Sequence, residues 1–520
     1  MKAMNSDVMG IPEFYSSKSV FVTGSTGFIG KVLLEKLLRS CPNIGNIYIL
    51  VRPKKGLDIN ARVKEMFKSQ LFDRLREEQP GFKEKVIPVN GDITEPGLGL
   101  NQNDRELITS AVSVVFHSAA TVKFDEPLKL SIQMNVLGVK KILELCHQMK
   151  KLEAVIHVST AYCNCDKEVI METIYPPPLL PHNVIDAAEW MTDDVVEMLT
   201  PLIVKPRPNT YTYTKAMAEY ILQKERGLLP CAIIRPSIVG AALLEPYPGW
   251  VDNYNGPSGM LIAIGKGILR TMHGNTDATC DIIPVDLATN LIIAAAWSLA
   301  IERPSNVPVY NCTTGQLNRL TWGQMERASH KYFLKTPVNR PIRIPNPYFT
   351  SSKVCRTIYL WFDHYLPAWI MDVVLWLQGK QPQMTKVQNR LWRSVKMLEY
   401  FTSNQWVFTS QNVLDLHQKL YAEDQQAFNF DVTCIDWPHY LENYCLGVKK
   451  YVLKESLDTI EDARRALNRL YVIRRFVKVI GFFIMWCLIM PRLAIARRLW
   501  HYLISLAVKI LHRIPGFARS

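Results

Sequence analysis

The hydrophobic pattern near the start of the chain changes from strand spacing to helical spacing across a turn with three glycines. Residues 19–23 (SVFVT) form a short apolar run, and the glycines of GSTGFIG follow it. Apolar residues then recur on one helical face in KVLLEKLLRS, and residues 46–51 (NIYILV) form a second apolar run. A strand, a glycine turn, a helix and a strand in this order predict a βαβ unit with a parallel sheet.

The same alternation of apolar runs and amphipathic segments continues along the chain. Further strands are predicted at 85–93 (KVIPVNGDI), 113–120 (SVVFHSAA), 153–160 (EAVIHVST) and 231–240 (CAIIRPSIVG), with helices near 105–111, 132–150 and 211–226. Strands that alternate with helices are typical of a parallel sheet covered by helices on both faces. We therefore predict an α/β fold, a Rossmann-type doubly wound parallel sheet, within residues 1–335.

The pattern changes after residue 335. Four prolines in TPVNRPIRIPNP predict a linker over 336–349, because proline fixes φ and donates no backbone hydrogen bond. Residues 350–462 are rich in Trp, Tyr and Leu at helical spacing and predict a mostly helical C-terminal domain. Residues 463–520 form a basic, apolar helical tail that we expect to associate with a membrane, with a candidate span at about 472–491.

The net charge of +14 comes from this tail. Twelve Lys or Arg and no Asp or Glu follow residue 462, so the rest of the chain carries only about +2 (14 minus 12). A segment that is both apolar and basic predicts contact with a membrane and its anionic headgroups, and no nucleic-acid partner. Because the apolar core at 479–491 is short for a span, three arrangements stay open: one span with an interfacial helix, a re-entrant hairpin, or a pair of ordinary core helices.

The eleven cysteines predict a reducing compartment. Their number is odd and no Cys-x-x-Cys pair occurs, which argues against a disulfide framework and against a zinc site. Cys163 and Cys165 are the nearest pair, and packing is the expected role of both. No apolar stretch precedes residue 19, so we expect no secretory signal and predict no metal cofactor.

The glycine turn has the spacing of a dinucleotide-binding site when it lies between a strand and a helix. Gly24 would permit the tight turn, Gly27 would let the backbone approach a phosphate, and Gly30 would let helix and strand pack closely. Backbone N–H groups at the helix N-terminus would then hold a pyrophosphate. The predicted cofactor contacts around this turn are Thr23, Gly24, Thr26, Gly27, Phe28, Ile29 and Gly30.

The end of the second strand favours a cofactor with a 2′-phosphate. Arg52, Lys54 and Lys55 follow this strand, and no acid precedes Asp58. An acid there would accept hydrogen bonds from a ribose hydroxyl, whereas an arginine accommodates a 2′-phosphate. We therefore predict NADPH as the cofactor and Arg52 as its phosphate contact, with a solvated basic loop as the alternative.

Residues at other strand ends complete the predicted cofactor site. A carboxylate in NGDI could accept a hydrogen bond from the adenine amino group, and the small residues of FHSAATV would let the cofactor lie close to the backbone. The predicted contacts are Asp92, Ser118, Ala119, Ala120 and Pro236. His117 could be a catalytic base, although a histidine held by packing at a strand end is the more ordinary outcome.

A hydroxyl, a tyrosine and a lysine indicate the chemistry. Tyr211 and Lys215 are four residues apart and lie on one face of the predicted helix, whereas Tyr213 points elsewhere. A lysine ammonium beside a phenol lowers the tyrosine pKa, and Lys215 would also hold the cofactor ribose. Thr160 ends another strand and is expected at the same crevice. With a nicotinamide these side chains would form a carbonyl reductase site, in which Tyr211 donates the proton and Thr160 hydrogen-bonds the same oxygen.

Longer motifs carry a resemblance to known enzymes. TGSTGFIGK, GDI, FHSAATV, HVSTAY, YTYTKAMAE and RPSIVG, in this order, resemble an extended short-chain dehydrogenase/reductase. GKVLLEKLLRSCP, PNTYTYTKA, EPYPGWVDNYNGPSG, LEYFTSN and YLENYCLGVKKYVL are similar to motifs of the eukaryotic fatty acyl-CoA reductases, over about residues 10–510. The functional positions of that family fall on Gly24, Gly27, Gly30, Thr160, Tyr211 and Lys215.

The resemblance implies reduction of a long-chain acyl-CoA to a primary alcohol with two NADPH, through a bound aldehyde and with release of CoA; such alcohols are precursors of ether lipids and waxes. It also implies a peroxisomal or endoplasmic-reticulum membrane protein whose catalytic domain faces the cytosol, and homo-oligomerisation stays open. The loop at 245–259 would face the substrate and the helical domain would line an acyl tunnel, unless both are plain structure. The alternatives are a membrane-bound sterol-type dehydrogenase of the same superfamily and a catalytically silent membrane scaffold.

Overall fold

The fold was analysed in a computed structural model of the 520-residue chain. The structure describes residues 9–53, 56, 58–489 and 494–511. Lys54 and Lys55 of the predicted phosphate-binding loop, and residues 490 and 491 of the predicted span, lie outside the described residues.

The strands of the described chain are short and regular. They are β1 Ser19–Thr23, β2 Ile47–Val51, β3 Val86–Asn90, β4 Val112–His117, β5 Ala154–Val158, β6 Val169–Ile170, β7 Cys231–Pro236, β8 Ile238–Gly240, β9 Thr271–His273, β10 Ile282–Pro284, β11 Val309–Cys312, β12 Tyr348–Thr350 and β13 Val407–Phe408.

The α-helices fall into three stretches of the chain. Those up to residue 335 are α1 Ile11–Tyr15, α2 Phe28–Ser40, α3 Ile59–Met66, α4 Asp73–Glu78, α5 Gln102–Ala111, α6 Leu128–Ile132, α7 Gly138–Cys146, α8 Pro181–Trp190, α9 Asp193–Ile203, α10 Thr210–Glu225, α11 Pro257–Gly265, α12 Val285–Glu302 and α13 Trp322–Lys335. The next are α14 Lys353–Tyr359, α15 Leu366–Leu377, α16 Met384–Ser403, α17 Gln411–Lys419, α18 Ala422–Ala427 and α19 Trp437–Gly447. The tail contains α20 Ile460–Ile489 and α21 Ala494–Leu511.

Seven strands form the central sheet in the order β11-β7-β5-β4-β1-β2-β3, and every neighbouring pair is parallel. The chain runs outward from β1 to β3 and then returns to β4 on the other side of β1. Ligands of open parallel sheets bind outside the carboxyl ends of the strands at such a reversal. The predicted doubly wound sheet is therefore confirmed, and its switch point lies between β1 and β4.

The sheet also corrects two details of the predicted strands. The run at 231–240 divides at Ser237 into β7, which lies in the central sheet, and β8, which pairs with β10 in a separate two-stranded sheet. The edge strand β11 was not predicted, because VYNC offers only four residues and includes a polar asparagine.

Both faces of the sheet are covered by apolar helices. On one face α12 packs against α2, β5 and β7, and on the other face α5, α7 and α10 contribute side chains such as Ile108, Ile142 and Leu222 to a second core. By length and apolar composition, α12 is the single described helix that could cross a membrane, but 89% of it is buried inside the protein. We therefore describe α12 as a core helix.

The chain after the proline-rich segment returns to this core. Tyr440 and Tyr444 of α19 and Leu416 of α17 are buried in the same hydrophobic cluster as the sheet strands. Helices α14 to α16 form a hairpin beside the two-stranded sheet of β9 and β12, and Val395 of α16 joins the same cluster. The division into domains at 335, 349 and 462 stays a prediction.

The tail helix α20 carries an exposed apolar surface. Phe476, Phe482 and Phe483 are each about 60% exposed or more. The predicted span at 472–491 falls on this helix as far as Ile489.

Candidate active site

The glycine turn connects β1 to α2 at the switch point of the sheet. Gly24 has a φ of +76°, and a Cβ there would lie 2.7 Å from the backbone nitrogen of Ala119. A Cβ on Gly30 would lie 2.2 Å from the carbonyl oxygen of Gly24. Both positions therefore require glycine for the reasons the spacing predicted, a tight turn at Gly24 and close packing at Gly30.

Gly27 is the N-cap residue of α2 and is exposed. Among the described residues, no side chain caps this helix through a hydrogen bond. The first N–H groups of α2 and its positive dipole end therefore point toward the switch point without a side-chain partner, which is the environment that binds a pyrophosphate. The turn fits a dinucleotide on these observations.

The predicted cofactor residues differ in accessibility. Thr23 is buried, and its hydroxyl lies 2.7 Å from Nδ1 of His117, so it joins β1 to β4 inside the protein. Pro236 is buried at the end of β7. The partly exposed members are Thr26, Phe28, Ile29, Ser118, Ala119 and Ala120.

Arg52 and Asp92, predicted at opposite ends of the adenosine moiety, lie next to each other. Nη1 of Arg52 is 3.6 Å from Oδ2 of Asp92, and the arginine side chain is 61% exposed. The hydroxyl and the backbone N–H of Thr94 both donate to Oδ1 of Asp92 at 2.9 Å. The arginine therefore stands at the rim of the site with one carboxylate partner.

Thr160 and Tyr211 meet at the carboxyl end of β5. Tyr211 lies in the first turn of α10, which begins after Asn209 because the Asn209 side chain accepts the N–H of Thr212 at 2.9 Å. Burial raises the pKa of Tyr211 to about 12, and Thr160, which lies near the Tyr211 hydroxyl, offsets part of that effect.

Lys215 lies one turn further along α10 and is buried. Its Nζ donates to the Val158 carbonyl at 2.7 Å. Burial lowers the pKa of Lys215 to about 8, against the opposing effect of the Glu219 carboxylate. The expected decrease in the Tyr211 pKa is wrong for this structure, because burial dominates and Lys215 is not among the groups that shift it. A raised pKa keeps the phenol protonated at neutral pH, which is the state that a proton donor requires.

Tyr213 points away from this site, as its position in the helix predicts. It is fully buried in a cluster with Val136, Met217 and Ile221. His117 is also buried and stacks against His157 at 5.3 Å between ring centroids. Burial, with a further contribution from Lys215, lowers the pKa of His117 to about 3. The structure therefore places His117 in the core, in accord with the packing interpretation.

A buried ion pair between Glu219 and Arg235 lies next to the site, and the sequence analysis did not predict it. Glu219 accepts from Nε and Nη2 of Arg235 at 2.9 and 2.6 Å. The Ser159 hydroxyl and the Cys163 thiol also donate to Glu219, at 2.5 and 3.3 Å. An arginine inside the apolar strand CAIIRP was the available signal, because a buried guanidinium requires a carboxylate partner.

The two neighbouring cysteines belong to the packing around this network. Cys163 and Cys165 are both buried. Burial raises the pKa of both thiols, that of Cys165 to about 12. Neither thiol is therefore a thiolate near neutral pH, and the structure gives no support for a nucleophilic role.

An apolar cavity of about 90 Å³ opens beside Tyr211. Its walls combine residues of the sheet region with α16 of the C-terminal region. The lining residues are Phe124, Tyr162, Tyr211, Thr212, Ile238, Gly256, Pro257, Met260, Met272, Trp322, Leu398, Phe401 and Thr402. Leu398 and Phe401 belong to LEYFTSN, so that motif supplies one wall of the cavity.

The turn-rich loop at 245–259 has two parts with different surroundings. Its first part packs on α2, where Trp250 stacks with Phe28 at 5.6 Å and Glu245 pairs with Arg39 at 3.0 Å. Its end reaches the cavity through Gly256 and Pro257. The loop therefore connects the helix of the glycine turn with the apolar cavity.

The fold and this site define a nicotinamide-dinucleotide-dependent reductase. Two family models, both described as male sterility protein, match residues 22–292 and 363–455, and the first is an NAD-binding model. Fatty acyl-CoA reductase 1 of Mus musculus is 46% identical over 504 residues, 97% of this chain and 98% of that protein. Fatty acyl-CoA reductase 2 of Bos taurus is 43% identical over 501 residues, 96% of this chain and 97% of that protein.

Solved structures show the same fold at low sequence identity. The terminal R domain of the myxalamid PKS-NRPS pathway has a TM-score of 0.55 and 20% identity, over 83% of this chain and 90% of that domain. The reductase domain of a Mycobacterium tuberculosis nonribosomal peptide synthetase has a TM-score of 0.57 and 18% identity, over 85% and 94%.

This chain belongs to the fatty acyl-CoA reductase family. The near-complete coverage of these relatives confirms the resemblance carried by the motifs and confirms that the chain is an oxidoreductase.

Proposed function

We propose that the protein reduces long-chain fatty acyl-CoA to a primary fatty alcohol, with Tyr211 as the proton donor. The observation that carries this proposal is the position of Tyr211, which lies near Thr160 and lines the apolar cavity. A carbonyl at the end of an alkyl chain would meet two hydroxyls while the chain lies among apolar side chains. The relatives named fatty acyl-CoA reductases support the same class of substrate.

A dinucleotide would be held by the glycine turn, the N-terminus of α2 and Lys215. When bound, the nicotinamide supplies the hydride that a carbonyl reduction needs. Arg52 would contact a 2′-phosphate, which is the basis for proposing NADPH over NADH. Ala119 and Ala120 would border the cofactor, because their small side chains leave room at the switch point.

The side chains of this site handle the proton. Tyr211 can donate its phenolic proton to the carbonyl oxygen as that oxygen gains negative charge, and Thr160 can donate a hydrogen bond to the same oxygen. The positive charge of Lys215 would act on the cofactor, whose ribose hydroxyls the ammonium would hold. The 2.7 Å bond of Lys215 to Val158 holds the ammonium at the end of β5, where this charge is required.

One proton donor can serve both stages of the reaction. Reduction of the thioester gives a hemithioacetal, which expels CoA thiolate and leaves an aldehyde. Reduction of the aldehyde gives the alcohol, with Tyr211 again protonating the oxygen. An aldehyde whose chain stays in the apolar cavity would remain beside Tyr211 between the two stages.

The proposed location is a membrane. The exposed phenylalanines of α20 and the basic residues after 462 support insertion of the tail beside anionic headgroups. By the resemblance, the membrane would be that of the peroxisome or the endoplasmic reticulum, with the catalytic region facing the cytosol.

Incubation of the full-length protein with palmitoyl-CoA and NADPH, followed by lipid extraction, tests this function. We expect hexadecanol, with two NADPH oxidised for each alcohol formed. Accumulation of hexadecanal as the end product would contradict the second stage. Oxidation of a sterol substrate without reduction of palmitoyl-CoA would replace the proposal by the sterol-type activity.

A further inference from the structure

Helices α14, α15 and α16 form a helical hairpin. We call residues 353–403 the docking hairpin. In α14, α15 and the π-helical segment that joins them, Leu360–Tyr365, the buried side chains are His364 and Asp372, both polar. Helix α16 differs, because it buries the apolar Val395 and Phe401. A surface helix of a soluble protein normally buries its apolar face and exposes its polar one, so α14 and α15 have the inverted distribution of polarity.

Polar side chains hold the hairpin together and attach it to the rest of the protein. His364 accepts the N–H of Thr271 at 3.2 Å and lies 3.0 Å from the amide nitrogen of Gln388. Asp372 caps α16 by accepting three backbone N–H groups, those of residues 383 to 385, at 2.7 to 2.9 Å. Asp363 pairs with Arg270 at 3.0 Å. These bonds fix the orientation of the hairpin, and they determine which of its faces points away from the rest of the protein.

The outer face is apolar and aromatic. Three tryptophans, Trp361, Trp369 and Trp376, are between 61% and 67% exposed. Phe362, Ile370 and Leu377 extend the same surface. Exposed contiguous apolar surface of this kind marks a binding site for another apolar surface, and tryptophan favours the interface between water and lipid.

The unpaired positive charges of the docking hairpin favour an anionic partner. Its three acids are engaged within the protein: Asp363 with Arg270, Asp372 at the cap, and Glu399 with Arg356 at 2.5 Å. The basic residues are different, because in the described part of the chain six of them are exposed and have no ion-pair partner. These are Lys353, Lys380, Lys386, Arg390, Arg393 and Lys396.

One helix of the docking hairpin lines the cavity beside Tyr211. The N-terminus of α16 is capped by Asp372 of the hairpin, and Leu398 and Phe401 near its C-terminus line the cavity beside Tyr211. Helix α16 therefore links the end of α15, through the Asp372 cap, to the wall of the cavity.

We propose that the docking hairpin inserts its tryptophan-bearing face into the headgroup layer of an anionic lipid bilayer, as a membrane contact separate from the tail. The hairpin carries both exposed aromatic residues and unpaired cations, and they match such a bilayer because its interface takes the rings and its phosphates neutralise the cations. This inference rests on the proposed function in one respect, because it places the acyl cavity next to the bilayer from which long-chain substrates and products partition.

Two native cysteines allow a test in the full-length chain. Cys355 is exposed in α14 next to Val354, and Cys434 is exposed in the turn Val432–Cys434, outside the hairpin. One protein keeps Cys355 and carries Cys434→Ser and Cys487→Ser; its matched control keeps Cys434 and carries Cys355→Ser and Cys487→Ser. Each is labelled with a polarity-sensitive fluorophore and reconstituted in vesicles of phosphatidylcholine with or without phosphatidylserine.

The readout is quenching by lipids that carry a nitroxide near the headgroup. We expect at least threefold stronger quenching of the label on Cys355 than of the label on Cys434 in phosphatidylserine vesicles. Exchange of Lys386, Arg390, Arg393 and Lys396 for Gln should remove most of that difference, while Lys64, Lys68, Lys83 and Lys224 exchanged for Gln should preserve it. Unchanged circular dichroism melting would show that the variants remain folded.

Three results would overturn the proposal. Equal quenching of both labels would show that the hairpin stays in water. Shielding of the Cys355 label in detergent without lipid would show that the tail covers the face, and quenching by a nitroxide-labelled second copy would show an interface between two chains. The readout needs no catalysis, so an inactive enzyme with lipid contact would contradict only the proposed function.

Discussion

The ammonium group of Lys215 donates a 2.7 Å hydrogen bond to the carbonyl of Val158, the last residue of β5. Two residues further along the chain, Thr160 lies near the hydroxyl of Tyr211 and lowers its pKa. The end of this one strand therefore fixes the cation, the phenol and the second hydroxyl relative to one another. The buried position of the cation also lowers its pKa to about 8, which makes its charge sensitive to pH in the range where the enzyme can be assayed.

The first prediction is an alkaline decrease in activity. Lys215 carries its charge below about pH 8 and loses it above that value, because burial penalises the charged form. If the charged ammonium holds the cofactor ribose, kcat/KM should be level below pH 8 and fall about tenfold per pH unit above it. The measurement is a pH profile of palmitoyl-CoA reduction. In the Lys215→Arg variant the decrease should disappear, because arginine stays charged; a level profile for the parent from pH 7 to 10 would disprove the assignment.

The second prediction separates the two tyrosines. Tyr211→Phe keeps the ring and removes the hydroxyl, so kcat should fall by about 10²- to 10⁴-fold, the usual contribution of a general acid. Tyr213→Phe is the matched control, because the Tyr213 hydroxyl is buried and without a hydrogen-bond partner among the described residues. That variant should keep most activity and lose no stability.

The same pair of variants tests whether one site serves both stages. With added long-chain aldehyde as substrate, Tyr211→Phe should show a loss similar to that with acyl-CoA. A Tyr211→Phe enzyme that reduces the aldehyde at the parent rate would require a second proton donor for the second stage.

The third prediction concerns the cofactor. Arg52 is 61% exposed at the rim of the site, with Asp92 as its neighbour. Arg52→Ala should lower kcat/KM for NADPH about tenfold or more, since a hydrogen bond to a charged group contributes about 1.5–3 kcal/mol, and should change little with NADH. Lys64→Ala, which removes one exposed charge from α3, is the control. Comparable kcat/KM for the two cofactors in the parent enzyme would remove the basis of the prediction.

Local features of the site were predictable from the sequence, because they depend on residues close together in the chain. The spacing of Tyr211 and Lys215 within one helix, and the close packing that requires glycine at Gly24 and Gly30, are fixed by backbone geometry. The strands β1, β2 and β5 begin within one residue of their predicted positions, because buried parallel strands are short continuous apolar runs.

The features that the sequence left open depend on distant residues. The Arg235–Glu219 pair joins a strand to a helix, and Phe401 reaches the Tyr211 cavity from a helix almost two hundred residues away in the chain. The pKa of Tyr211 could not be predicted for the same reason, because its direction is set by burial and not by the lysine in its own helix.

The fourth prediction concerns that buried pair. Both side chains are at most 1% exposed, so Glu219→Gln would leave the Arg235 guanidinium without its counter-charge. We expect the free energy of unfolding to fall by about 3–5 kcal/mol. Glu225→Gln, in the same helix, breaks an exposed pair with Lys140 at 3.6 Å and should cost at most about 1 kcal/mol. Thermal unfolding monitored by circular dichroism would compare them, and equal midpoints for the two variants would contradict the role of the pair.

The last prediction concerns how the protein is attached to membranes. Removal of residues 464–520 deletes most of α20, all of α21 and twelve basic residues, and leaves the docking hairpin intact. The full-length protein should stay with membranes in high salt, because insertion of the exposed phenylalanines of α20 is apolar and unaffected by screening. The shortened protein should bind anionic vesicles at low salt and be released by high salt, because insertion of the three tryptophans of the hairpin is too weak to hold it without the attraction of the unpaired cations. Sedimentation with vesicles across a salt series measures both. If the shortened protein still sediments with membranes in high salt, the main anchor lies outside the tail.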